Sequence, residues 1–246
     1  MGKQTSIQWT DASWNPWHGC EKVSPGCKFC YMFADKKRYG QDPTKVTRSS
    51  SATFNAPLKW KEPRKIFTCS WSDWFIDKAD PWRDEAWDII RRTPHHIYQI
   101  LTKRPERIKD HLPADWGEGW PNVWLGVSVE DQARKHRIDT LREIPASVRF
   151  LSCEPILEDL GQLDLTGIAW VIAGGESGPG ARPFDLDWGR NLIDQCAAAE
   201  VPIFVKQLGA VAVQTGKRVS LQDSKGGDWD EWPGELRVIS FPLRAA

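Results

Sequence analysis

An α/β fold built on parallel strands is predicted from two features: short apolar runs alternate with helical stretches, and the runs are apolar at consecutive positions. Unbroken apolar runs are typical of strands that are covered on both faces, as in a parallel sheet. Together with a first strand near the N-terminus, they predict a partial or full (β/α) barrel, and a doubly wound open sheet is the alternative. The predicted strands lie in residues 6–10 or 12–17, 65–70, 96–102, 122–130, 148–154, 168–176 and 201–206.

Helices are predicted in several of the intervals between these runs. They cover residues 27–40, 80–92, 130–144 and 186–200. Asp80 and Pro81 are typical of an N-cap and a first-turn proline, and Gly40 is typical of a helix end.

The predicted domain organisation is a main domain with one addition. Residues 1–210 are expected to form the barrel domain, with a cysteine-containing loop at 20–30. Residues 41–64 read as a basic insertion, and the turn-rich residues 211–246 as a C-terminal appendage packed on the barrel.

Composition limits the classes of function that the chain can have. Its 246 residues include 33 basic and 33 acidic side chains, so no overall charge attracts it to nucleic acid or to a membrane surface, although a local basic patch is not excluded. No apolar run reaches membrane-spanning length, and the polar N-terminus does not resemble a signal peptide, which predicts a cytoplasmic protein without a membrane partner. The fifteen tryptophans suit either packing in the core or stacking on a flat ligand.

Polar side chains follow nearly every predicted strand, and three of them are glutamates. The carboxyl ends of parallel strands are where such folds bind ligands, although any strand end that meets water is also expected to be polar. Glycines in residues 174–183 would allow the backbone to approach a ligand, or simply form a tight turn. The binding candidates chosen on position are Ser128, Glu130, Glu154, Gly174, Gly175 and Glu176 for a cofactor, and Lys103, Arg104 and Lys206 for the phosphates of a substrate.

Three cysteines, Cys20, Cys27 and Cys30, lie within one short loop and are the predicted metal ligands. With His18 they could complete a four-ligand zinc site. Without a second cysteine pair elsewhere, three thiolates fit better a four-iron, four-sulfur cluster with one iron open to a small chelating molecule. The scattered cysteines at 69, 153 and 196 are expected to be ordinary buried residues.

Taken together, these motifs resemble the radical S-adenosylmethionine superfamily, and in particular a phage-associated branch of it. The matching segments are WNPWHGC with the two following cysteines and Tyr31, LTKRP, WLGVSVE, FLSCEP, AGGESGPGARP, VKQLG and DWDEWP, which span nearly the whole chain. The first gap between cysteines has six residues where the commonest superfamily spacing has three, and the Gly-Gly-Glu element at 174–176 follows a late strand instead of an early one. The aromatic residues Phe29 and Tyr31 beside the last cysteine agree with the superfamily pattern.

The resemblance implies an enzyme that binds a [4Fe–4S] cluster and S-adenosyl-L-methionine. One electron from a flavodoxin-like or ferredoxin-like donor would cleave the cofactor to methionine and a 5′-deoxyadenosyl radical, which removes hydrogen from a substrate. Tyr31 joins the cofactor-binding candidates, and no catalytic residue is identified. The implied substrate is a nucleobase, a nucleoside or DNA, in a modification or repair reaction in the cytoplasm, the host's if a phage encodes the chain. A peptide or small metabolite is the other substrate class. The alternative function is a zinc- or iron–sulfur-stabilised, non-catalytic nucleic-acid-binding protein.

Overall fold

The computed structural model describes residues 5–242 and contains alternating strands and helices. The strands are β1 (Ala12–Trp14), β2 (Trp17–His18), β3 (Thr47–Arg48), β4 (Lys65–Thr68), β5 (Ile97–Thr102), β6 (Val123–Ser128), β7 (Val148–Cys153), β8 (Trp170–Gly174), β9 (Phe184–Asp185), β10 (Ile203–Gln207), β11 (Ala212–Gln214) and β12 (Lys217–Arg218). The α-helices are α1 (Tyr31–Arg38), α2 (Ser51–Phe54), α3 (Asp80–Arg92), α4 (His136–Arg142) and α5 (Leu186–Ala198).

The main sheet has seven strands in the order β1-β4-β5-β6-β7-β8-β10. The pairings β1–β4, β4–β5, β5–β6, β7–β8 and β8–β10 are all parallel. Each strand of this sheet lies beside the strand of the same sheet that precedes it in the chain, and the order never reverses, so the sheet is not doubly wound. Since no pairing joins β1 to β10 in residues 5–242, the prediction of an α/β fold is confirmed as a partial barrel.

The apolar runs form the strands that the sequence predicts. All six residues of β6 and all five of β8 are buried, as expected for strands covered on both faces. Of the two positions considered for the first strand, residues 12–17 contain β1. The prediction of strands at these runs is therefore confirmed.

The helices predicted over 130–144 and 80–92 need correction at their N-terminal ends. The helix predicted over 130–144 is a 3-10 turn (Gln132–Arg134) followed by the short α4. Its start is delayed because the Glu130 carbonyl accepts a hydrogen bond from the Leu157 amide (2.9 Å), so it is not free to begin a helix. Asp80 is the first residue of α3 instead of its N-cap, and its carboxylate accepts from Arg83 at 2.6 Å.

The chain divides into two compact units. Their ranges, within the described residues, are 5–23, Cys30–Val127 and Glu143–Val148 for the first, and Ser24–Phe29, Ser128–Arg142 and 149–242 for the second. The predicted insertion at 41–64 belongs to the first unit and contains β3 and α2. The predicted appendage does not form a unit of its own, because β11 pairs with β9 and the Val205 amide donates to the Val238 carbonyl (2.9 Å), both within the second unit.

Tryptophans pack against one another in the first unit. The Trp74 ring lies 5.1 Å from Trp17 and 5.0 Å from Trp87, and Trp87 lies 5.6 Å from Trp116. Trp17, Trp74 and Trp87 are at most 2% exposed, so packing is the role of these rings.

Candidate functional site

In the first unit, Cys20 lies beside a buried arginine. The Arg104 Nη1 atom is 4.0 Å from the Cys20 Sγ, and Nη2 donates to the neighbouring Glu21 carbonyl (3.1 Å). A guanidinium close to a thiol favours its ionised form, which is the form that ligates metals. Cys20 is therefore in surroundings suited to a thiolate.

Asp73 holds Arg104 in this place. Its Oδ2 atom lies 3.1 Å from Arg104 Nη1, and the two side chains are only 7% and 9% exposed. The carboxylate also accepts hydrogen bonds from the Thr102 hydroxyl (2.7 Å) and the Lys103 amide (2.9 Å), at the end of β5. Burial opposes the charge of Arg104, but Asp73 and Cys20 outweigh this effect and raise the arginine's pKa.

The segment before Cys20 is fixed to the residues that follow β4. The Asn15 side chain accepts from the Trp71 amide (2.8 Å), and the Ser72 hydroxyl donates to the Gly19 carbonyl (2.6 Å). Gly19 has φ +97°, and a Cβ there would lie 2.2 Å from the Lys45 carbonyl oxygen, so only glycine fits. The sequence WNPWHG before Cys20 thus has a structural reason for its glycine and asparagine.

His18 is engaged by a lysine in the first unit. Its Nδ1 atom lies 2.8 Å from Lys36 Nζ and 3.2 Å from the Thr47 hydroxyl. Burial, followed by the charge of Lys36, lowers the pKa of His18, while burial lowers that of Lys36. The imidazole proposed as a fourth zinc ligand therefore contacts an amine within its own unit.

Cys30 and Tyr31 begin α1, also in the first unit. Cys30 occupies the N-cap position, and its carbonyl accepts the Phe33 amide at 3.1 Å. The Tyr31 hydroxyl donates to the Ser70 carbonyl, while the side chain as a whole remains about half exposed. The helix predicted over 27–40 begins at Tyr31, four residues later than predicted, and ends at Arg38.

In the second unit, Cys27 ends a 3-10 turn that begins at Pro25. The Cys27 amide donates to the Ser24 carbonyl (3.0 Å), and the Ser24 hydroxyl lies 3.7 Å from the Cys27 sulfur. That hydroxyl donates to Glu130 Oε1 at 2.6 Å. Glu130 is fully buried, and its Oε2 atom accepts from Arg137 Nη1 at 2.8 Å.

A second glutamate acts on the same turn through an arginine. The two carboxylate oxygens of Glu176 accept from Arg182, through Nη2 at 2.6 Å and Nε at 2.8 Å. The remaining Arg182 Nη1 atom donates to the Pro25 carbonyl at 3.0 Å. Glu176 is therefore occupied by Arg182.

The third strand-end glutamate has a more accessible partner. Glu154 Oε1 lies 3.0 Å from Lys206 Nζ, with side chains 14% and 29% exposed. Gly174 lies next to this pair, since a Cβ there would be 3.1 Å from Glu154 Oε1. Gly175 has no room for a side chain, because a Cβ would lie 2.4 Å from the Leu208 carbonyl.

The six cysteines fall into two groups. None of them is in a disulfide, and those at 69, 153 and 196 are buried as predicted. Burial raises the pKa of Cys69 and Cys153 well above the usual value, and that of Cys196 to about 12, so these three stay protonated. Of the three cysteines in the loop, Cys27 is buried, and Cys20 and Cys30 are partly exposed.

The donor atoms of the cysteine loop suit an iron–sulfur cluster. Its three cysteines, none of them in a disulfide, are the ligand type that iron–sulfur clusters require, and the guanidinium near Cys20 favours the thiolate. Within residues 5–242, no three His, Cys, Asp or Glu side chains form a group that could hold a metal ion as they stand. The fit therefore rests on the chemistry of the donors.

Two of the predicted binding residues are buried and bonded to other residues of the protein. Arg104, predicted to bind phosphate, is buried against Asp73, and Ser128 is buried with its carbonyl bound to Arg137 at 2.8 Å. The sequence patterns do not single out Asp73, Arg137 or Arg182, although both arginines follow the glutamate that they bind within seven residues.

The fold and these contacts define an α/β protein of parallel strands that carries a loop of three cysteines outside any disulfide. The family model described as "Protein of unknown function (DUF5131)" matches residues 4–233, so the chain belongs to that family. No curated protein and no solved structure matches the chain. None of the helices in residues 5–242 is both long enough and apolar enough to cross a membrane.

Proposed function

We propose that the chain is a radical S-adenosylmethionine enzyme with a [4Fe–4S] cluster bound by Cys20, Cys27 and Cys30. The observation that carries the proposal is the loop of three cysteines outside any disulfide, one of which has a buried guanidinium 4.0 Å from its sulfur. When bound, the cluster would supply the electron that cleaves S-adenosylmethionine, and the resulting radical would remove hydrogen from a substrate.

The chain's own residues have separate parts in this proposal. Arg104 favours the thiolate form of Cys20, and Ser24 fixes the turn that carries Cys27. Of the predicted cofactor-binding side chains, Tyr31 and Glu154 keep solvent access, so they are the candidates for contact with S-adenosylmethionine. The backbones of Gly174 and Gly175 are occupied by Ile156 and Gln207, in bonds of 3.0 and 2.9 Å.

The proposal also includes a substrate class, an electron donor and a location. The substrate is a nucleobase, a nucleoside or DNA, the electron donor is a flavodoxin-like or ferredoxin-like protein, and the location is the cytoplasm. Of the three cations predicted to meet phosphate, Lys103 is half-buried, Lys206 is paired with Glu154 and Arg104 is paired with Asp73. Phosphate contacts through Lys103 or Lys206 would make binding of labelled DNA weaken with salt and with Lys103→Ala or Lys206→Ala. DNA binding that is insensitive to salt and to both substitutions would contradict this substrate class.

Anaerobic reconstitution with iron and sulfide tests the proposal. The wild-type chain should become brown, bind iron and sulfide in equal amounts, and form 5′-deoxyadenosine from S-adenosylmethionine with dithionite as the reductant. The variant with alanine at positions 20, 27 and 30 should do none of these, while Cys196→Ala, which removes a buried thiol of α5, should behave as wild type. A colourless protein that contains zinc and forms no 5′-deoxyadenosine would overturn the proposal in favour of the zinc alternative.

A further inference from the structure

The turn from Ser24 to Cys27 lies directly on Glu130. A Cβ added to Gly26 would lie 2.6 Å from both Cγ and Oε1 of Glu130, so the Glu130 side chain would have to move to admit it. The Ser24 hydroxyl donates to the same Oε1 atom at 2.6 Å. Glu130 thus fixes the turn both by contact with its backbone and by a hydrogen bond to its side chain.

The loop that contains Glu176 holds the same turn from its other end. Besides the bond from Arg182 to the Pro25 carbonyl, the Arg182 guanidinium lies 5.4 Å from the centre of the Phe29 ring. A Cβ at Gly180 would be 3.0 Å from that ring, so Phe29 packs against the backbone of this loop. Stacking of a guanidinium on an aromatic face adds to the hydrogen bond.

Both carboxylates are already used by protein donors. Glu130 has Ser24 on one oxygen and Arg137 on the other, and it is fully buried. Glu176 accepts three bonds from Arg182, including one from its backbone amide at 3.0 Å. A cofactor amine would have to displace a charged partner, and breaking such a pair leaves a charge uncompensated.

We infer that Glu130 and Glu176 are positioning residues for Cys27, acting through Ser24 and Arg182, and are not contacts of the cofactor. The importance of this arrangement for catalysis rests on the proposed function, because Cys27 is one of its three metal ligands. The arrangement itself is a property of the metal-free chain and can be measured without a cluster.

The test is the rate at which each cysteine is alkylated. The full chain, purified with a chelator and kept reduced, is treated with iodoacetamide, and each position is followed by mass spectrometry. Ser24→Ala and Arg182→Gln should each speed alkylation of Cys27 about fivefold, which corresponds to the loss of one net hydrogen bond. Cys196, buried in α5, serves as the internal measure of global unfolding.

Two further variants separate positioning from a general structural effect. Ser24→Thr keeps the hydroxyl and should keep the slow rate at Cys27. Arg190→Gln removes a comparable arginine of the second unit, which bonds Asp187 at 2.6 Å and Glu235 at 2.9 Å, and should leave Cys27 unchanged.

The outcomes distinguish this inference from the proposed function. A Cys27 rate that stays the same in Ser24→Ala and Arg182→Gln, or that rises only in step with Cys196, would overturn the inference. Failure of the wild-type chain to bind iron would instead overturn the proposed function and leave the alkylation result standing.

Discussion

The surroundings of Cys20 in the first unit and of Cys27 in the second differ in the kind of group that contacts each sulfur. Cys20 has a guanidinium 4.0 Å away, whereas Cys27 has a neutral hydroxyl 3.7 Å away. The charged groups of the second unit act on the backbone and on Ser24 instead of on the sulfur. The difference teaches that one sulfur lies beside a charged group, whereas the other lies beside a neutral group on a turn that charged residues hold.

The largest expected effect is the loss of bound iron, and it should be the same for all three cysteines despite their different surroundings. Cys20→Ala, Cys27→Ala and Cys30→Ala should each abolish bound iron and the absorbance near 400 nm, a rough wavelength for iron–thiolate charge transfer. The measurement is iron and sulfide content after anaerobic reconstitution. Full iron content in any one of the three variants would remove that cysteine from the ligand set.

A stability comparison sharpens the description of the second unit. Glu130→Gln should lower the free energy of unfolding by about 3 kcal/mol, because Arg137 is left with an uncompensated buried charge. Glu154→Gln should cost about 1 kcal/mol or less, since its partner Lys206 can reach water. Urea unfolding of both variants measures the two values. Equal costs would mean that the burial of Glu130 has no energetic consequence.

Replacement of Arg104 tests charge control at Cys20. In the metal-free chain, Arg104→Gln should slow alkylation of Cys20 about tenfold near neutral pH. The substitution removes the cation near the Cys20 sulfur and leaves the negative charge of Asp73, which lies 3.1 Å from Arg104, without its partner. Arg104→Lys, which retains the charge, is the matched control. A rate that is as slow in Arg104→Lys as in Arg104→Gln would assign the effect to geometry and contradict charge control.

The smallest expected effect is a pH dependence confined to histidines of the first unit. Burial and Lys36 lower the pKa of His18 below 6.5, so the unfolded chain takes up this proton more readily than the folded chain. The contribution of neutral His18 to the free energy of unfolding is complete above pH 6.5. It is lost as the pH falls through the lower pKa that His18 has in the folded chain. Burial and His95 lower the pKa of His96 too, so His96 acts in the same direction.

Urea midpoints at about pH 7.5 and about pH 5.5 bracket this histidine titration. His18→Gln should show a smaller difference between the two midpoints than wild type, with the remainder due to His96. An unchanged difference would show that His18 does not contribute. His18→Gln should also retain its iron, because His18 is not a ligand in the iron–sulfur proposal. A zinc site with His18 as a ligand would instead lose its metal.

The sequence predicts the strands and the cysteine loop because both depend on local pattern. Consecutive apolar residues in β6 and β8 indicate burial on both faces, and closely spaced cysteines predict thiols that share one metal site. The partners of the charged residues are not local. Asp73 follows β4 and Arg104 follows β5, so only pairing of these two strands brings the residues together.

The same reason explains the glutamates. Their positions after strands are visible in the sequence, but Ser24 is separated from Glu130 by 106 positions, and Pro25 from Arg182 by 157. The sequence alone therefore predicts that a strand-end carboxylate is available to a ligand. The structure identifies the donor that already forms a hydrogen bond with it. Burial of Glu130 at 0% exposure is the fact that the sequence patterns do not supply.

The row of tryptophans in the first unit gives the protein a particular optical behaviour. Trp17, Trp74, Trp87 and Trp116 follow one another at 5.0 to 5.6 Å between ring centres. Excitation of one indole passes to its neighbours over such distances, so the fluorescence of the row is a collective signal. Replacing Trp74 alone would change the emission of the other three rings, and shifts in intrinsic fluorescence would report the folding of the first unit as a whole.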